Sequence, residues 1–169
     1  MGAQKVTVGV KIVQHFKAEC FDRLGNRKWV DEFDNLVVDA GRNKYLDATL
    51  KTGLAAPAWY VGLKGTGTPA AADTMASHAT WSEIVPYSNA NRVTWTPGTI
   101  SDGNLSNSGN VAAFNINANT TVFGAFMVDV VTKSGTTGNL LGVGDFAANR
   151  AVESGDTLNV TVTASVAAS

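Results

Sequence analysis

The chain has 169 residues, 44% of them hydrophobic and only 16% charged, with a formal net charge of −1; soluble domains typically carry about 25% charged residues. That length suits one domain, or one domain with an appended arm, and two full domains would be cramped. A near-neutral balance without a long basic run gives no electrostatic reason to expect nucleic acid or an anionic membrane as partner. Cys20 is the single cysteine, which excludes an intrachain disulfide and any dependence on an oxidising compartment. No apolar run at residues 1–10 has signal-peptide length and none elsewhere approaches a membrane span, so synthesis in the cytoplasm is expected.

From the N-terminus, Val6, Val8, Val10 and Ile12 alternate with Thr7, Gly9 and Lys11, the period of a strand that continues through Phe16, Ala18 and Cys20. Residues 1–19 are read as an N-terminal strand or arm, with 1–12 the part suited to pairing outside its own domain, and 20–169 as a single β-rich domain. Residues 22–26 form a hairpin turn in which Gly25 can take positive φ, and the return strand carries Trp29, Val30 and Phe33, extended by 35–38. Asp39 is suited to cap a helix running to about Lys51, with Tyr45, Leu46 and Leu50 as its buried stripe and Gly53 as its stop. Residues 57–64 alternate Trp59, Val61 and Leu63 against Tyr60 and Gly62, a strand with one well-filled side. A Gly, Thr, Pro and Ala loop follows, then a helical turn capped by Asp73 and the apolar anchors Trp81, Ile84 and Val85.

Residues 87–169 hold eleven Asn, eleven Thr and eight charged side chains, a composition that fits pleated strands and tight turns. Strands are predicted at 92–96, 111–117, 121–131, 140–146 and 158–164. Residues 121–131 are apolar at nearly every position, so that strand is expected to be central and covered on both faces. The predicted fold is mainly β: an antiparallel β-sandwich of roughly eight strands with one short helix and an N-terminal strand or arm.

Catalytic signals are weak. His15 and His78 fall in different elements with no HxH, HxxxH or CxxC spacing, so no metal site is expected. His15 and Cys20, five residues apart on one strand, point to opposite faces and form no local dyad. Asp31, Glu32 and Asp34 are nearly contiguous and follow Arg27 and Lys28, which reads as a solvated strand end and not as two acids facing across a cleft. Gly65-Thr66-Gly67 lacks the remainder of a phosphate-binding fingerprint. Asp102, Asn104 and Asn107 offer oxygen ligands without the bidentate acid of a calcium loop. Trp29, Trp59, Trp81 and Trp95 read as core or interface anchors, with carbohydrate binding left open. No catalytic, cofactor-binding or metal-binding residue is assigned, no cofactor is expected, and the chain is read as no enzyme.

Three stretches in order carry a resemblance: 20–26 leading to Trp29 and on to Asn35-Leu36-Val37-Val38-Asp39-Ala40-Gly41; Trp59-Tyr60-Val61-Gly62-Leu63 followed by 73–78 and Trp81; and Gly155-Asp156-Thr157-Leu158-Asn159-Val160-Thr161. From about Cys20 to the C-terminus the chain resembles a family of small structural proteins of tailed bacteriophages. The resemblance implies a non-enzymatic virion component, assembled in the host bacterial cytoplasm and resident in the particle, foremost a capsid decoration (cement) protein that stabilises the head shell. The alternatives are a tail, neck or baseplate subunit, or a receptor- or glycan-binding fibre module. The implied partners are the major capsid protein or other virion subunits, with homo-oligomers, and neither nucleic acid nor membrane.

Overall fold

The computed structural model describes residues 9–51, 53, 55–78 and 80–168; residues 1–8 of the expected arm, Val6 and Val8 included, lie outside them. In chain order the elements are β1 (Val10–Phe21), β2 (Arg27–Asp34), β3 (Leu36–Val37), α1 (Asp39–Leu50), β4 (Tyr60–Lys64), β5 (Glu83–Ile84), β6 (Val93–Thr94), β7 (Asn104–Ser106), β8 (Ala112–Asn115), β9 (Thr120–Val128), β10 (Leu140–Val152) and β11 (Thr157–Ala168). One sheet runs β2-β1-β11 with β7 and β8 end to end on the far side of β11, and the second runs β3-β10-β9-β4 with β5 and β6 end to end beside β4. Every pairing is antiparallel. The sandwich follows the sequence pattern, and its three additional strands, β3, β5 and β7, are only two or three residues long.

The first strand lies inside the sheet. β1 pairs with β11 from Val10↔Ala168 to Phe21↔Thr157 and with β2 from His15↔Asp34 to Phe21↔Arg27. The boundary expected between residues 19 and 20 thus falls within a continuous strand. The 22–26 turn has the predicted chemistry: the Asp22 carboxylate accepts the N–H groups of Leu24 and Asn26, and Gly25 has φ 84°. Residues 35–38 do not extend β2. The Asn35 N–H still donates to the Gln14 carbonyl at 2.9 Å, after which the chain crosses to the other sheet and β3 pairs with Gly142 and Val143 of β10.

Two apolar layers flank the second sheet. Between the sheets, Phe16, Ala18, Cys20, Leu158, Val160 and Val162 meet Val61, Leu63, Ala125 and Met127. On its outer face, Phe126, Val128, Leu140 and Val143 are covered by Val38, Met75 and Trp81. β9 is therefore central and covered on both sides, as its unbroken apolar run requires.

Helix α1 departs from the predicted stripe. Val38 is its N-cap, without a side-chain cap, and Asp39 is already helical. Gly41 is the buried residue: a Cβ there would stand 1.9 Å from the Leu141 carbonyl oxygen, so the helix backbone rests directly on β10. That seat turns Tyr45 inward, whereas Leu46 and Leu50 are 54% and 77% exposed. The helical turn expected after Asp73 is not formed over residues 73–78; the Asp73 carboxylate instead accepts the Ala70 N–H at 2.8 Å and the Trp81 indole N–H at 2.9 Å.

Ion pairs with at least one buried partner brace distant segments. Arg92 meets Glu83 through two bonds of 2.9 and 2.8 Å and donates to the Val130 and Gly135 carbonyls, so both partners and the 130–135 loop are fixed together. Lys64 and Asp145 stand on either side of Gly124 in register, and the Lys64 ammonium spans that side-chain-free position to reach Asp145 Oδ1 at 2.5 Å. It also donates to the Gly65 and Gly67 carbonyls, so its three N–H groups are all satisfied. Removing one partner of a buried, hydrogen-bonded pair leaves the other charge stranded. Arg92→Ala is expected to lower the unfolding free energy by about 3–5 kcal/mol, against no more than about 0.5 kcal/mol for Lys51→Ala in the exposed pair with Asp47; urea denaturation followed by tryptophan fluorescence measures both.

Candidate functional site

The residues singled out from sequence do not converge. His15, Glu32 and Asp34 share the outer face of the first sheet, where His15 Nδ1 lies 3.0 Å from Asp34 and Nε2 lies 3.7 Å from Glu32. Asp31 faces the opposite way and corrects the reading of a solvated strand end: it is buried, accepts the Ala147 N–H at 3.0 Å and pairs with Arg150 at 2.6 Å. The period of two that separates His15 from Cys20 also separates Asp31 from its acidic neighbours. His78 stacks on Trp81 with ring centroids 4.1 Å apart. Asn107 is buried, accepting the Val162 N–H and donating to the Val160 carbonyl, which fills the gap between β7 and β8 along β11. Its amide is thus committed to backbone and unavailable as a calcium ligand. Among the described residues no group of three or more His, Cys, Asp or Glu side chains is arranged to hold a metal ion, and no helix is long and apolar enough to cross a membrane.

Cys20 is buried, with Sγ 3.5 Å from Asp156 Oδ2, and that carboxylate also receives Lys28 at 2.8 Å and the Glu153 N–H at 2.8 Å. Burial, and then the adjacent Asp156 charge, push the Cys20 thiol from its ordinary 9.0 up to about 12. Burial likewise raises the Tyr87 hydroxyl, which has no hydrogen-bond partner among the described residues.

The tryptophans divide. Trp81 lies in the outer layer over Phe126, and Trp29 packs edge-on against Phe146 with its indole N–H on the Ala151 carbonyl. Trp59 and Trp95, joined by a 2.8 Å backbone bond, line one wall of a cleft of about 560 Å³ at the end of the sandwich. Its floor is Gln14, Met127 and Leu141, and its opposite wall is α1, which contributes Lys44, Tyr45, Ala48 and Thr49. Gln14 accepts the Asn35 side-chain amide at 2.6 Å. Burial raises the Tyr45 hydroxyl while a hydrogen bond with Gln14 lowers it, and burial dominates. Of this cleft, Trp59, Trp95 and Tyr45 stood out in the sequence; Met127 and Leu141 look like any core residue until the strands are placed.

A deeply buried thiol predicts a pH window. The folded-state value lies above the unfolded one, so the contribution of Cys20 to stability is complete below about pH 9 and is lost as pH rises from 9 towards 12. Native protein is expected to resist iodoacetamide at pH 8 and to be alkylated fully in urea, with the adduct counted by mass spectrometry.

In a comparison with known families, the family model described as Podophage GP4 fiber I protein gp80 matches residues 37–167. A search of curated proteins gives no match.

Proposed function

Because the chain belongs to the podophage GP4 fiber I protein gp80 family, a family of phage virion structural proteins, we propose that it is a subunit of a fibre on the phage particle and acts by assembly. The observation that carries this reading is the family match from β3 almost to the end of β11. The surface chemistry supports it. On the outer face of the first sheet Thr157, Asn159, Thr161, Thr163 and Ser165 alternate along β11 without a charge, and on the neighbouring strands Lys17, Glu19 and Arg27 are paired with one another, which limits repulsion between identical copies. Its partners are then further copies of itself and neighbouring virion subunits.

A second reading, a capsid decoration protein bound to the major capsid protein, draws on the same uncharged strand, whose Thr and Asn row suits packing against a shell. Immunogold labelling of intact virions separates the two. Gold on the appendages supports the fibre subunit, and gold distributed over the head overturns it in favour of decoration. Deleting residues 1–8 is expected to reduce incorporation into particles at least tenfold while leaving the melting temperature of the isolated subunit within about 2 °C, a shift below that of a single lost core contact. An equal loss of both would make that segment part of the sandwich.

A further inference from the structure

We infer that the cleft under α1 binds a linear amphiphile, an unbranched alkyl chain ending in one anionic group, with the chain between the sheets and the anion at Lys44. This goes beyond the position of the chain on the particle and is tested separately from it.

Size and lining point the same way. The volume of about 560 Å³ falls within the ~300–1,000 Å³ typical of small-molecule sites. Its floor and strand wall present Met127, Leu141 and Trp95; Gln14 in the floor is already engaged by the Asn35 amide at 2.6 Å and directed at the Met127 sulfur, and the Trp95 indole N–H is spent on the Val162 carbonyl at 3.2 Å. A sugar or an extended peptide would bury hydroxyl or amide groups against walls with little to offer them, and an unpaired buried polar group is costly. An alkyl chain carries no such groups. The rim adds the charge. Arg42 and Lys51, the other cations on or next to α1, are paired with Asp39 and Asp47, whereas Lys44 has no carboxylate partner among the described residues and lines the cleft. Access follows from how the helix is seated: Gly41 anchors its first turns on β10, and no residue of its second half is buried.

Isothermal titration of the full chain with octanoate, decanoate and dodecanoate, each below its micellar concentration, tests the assignment. Affinity is expected to rise about fourfold per added methylene. Lys44→Glu should weaken dodecanoate at least tenfold and leave dodecanol unchanged, since only the anion is read by the ammonium. Ala48→Trp, which fills the cleft from the helix side, should abolish binding of both. Absence of saturable dodecanoate binding overturns the inference, as does dodecanoate binding that neither variant disturbs, which would locate it elsewhere. Light scattering that shows a dimer dissociated by Ala48→Trp, with no heat from any alkyl carboxylate, would mean that a second copy of the chain fills the cleft. Should Ala48→Trp fail to fold, the contrast between dodecanoate and dodecanol in Lys44→Glu decides alone.

Discussion

The pairing of the first described strand with the last holds this sandwich together. β1 lies between β2 and β11 and matches β11 along its whole length, so the first sheet has no continuous centre without it. The inter-sheet core inherits that dependence: Phe16, Ala18 and Cys20 reach Met127 and Leu63 only because the β11 register holds them opposite the second sheet. The cleft depends on it as well, since Gln14 in its floor and Ala164 in its wall are cross-strand partners. Hydrophobic burial supplies the driving force, but the ladder decides which apolar side chains meet.

Charge is used sparingly, and mostly as internal bracing. Of the eight charged residues after position 86, Arg92, Asp145 and Arg150 tie together segments that no strand pairing joins. Lys133 lies over the Tyr87 ring and donates to its carbonyl, and Glu153 and Asp156 both receive Lys28. Such pairs add little net stability over apolar packing of the same shape, yet each would be costly to break. Their benefit is specificity of loop placement, while the outward polar face of β11 is left uncharged.

Much of the fold was legible in the sequence because period-two alternation survives wherever one sheet face is buried. It placed β1, β2, β4 and β9 and assigned Trp59, Val61 and Leu63 to one face. It failed where tertiary geometry overrode the local pattern. The run 35–38 looks like a continuing strand, but Asn35 carries the chain across the sandwich, a crossing no local period records. The leucines of α1 have helical spacing, yet the close seat at Gly41 faces the helix the other way. Asp31 looked solvated beside Glu32 because its partner, Arg150, is 119 residues away. The cleft was the least legible feature, since its lining is gathered from seven separate stretches of chain and only the aromatic residues among them announce themselves.

Closing a sheet with its earliest strand sets a timetable for biosynthesis. The β1–β2 ribbon leaves the ribosome with one long flank open, and its proper neighbour is translated more than a hundred residues later. During that wait, open strand flanks are templates for misassociation. The ribbon carries its own safeguard: Lys17, Glu19, Arg27 and Glu32 decorate its outer side in mutual ion pairs or directly opposite one another, and charges on an exposed flank discourage pairing with strangers. That guarded interval limits cross-association between nascent chains before the sandwich is complete.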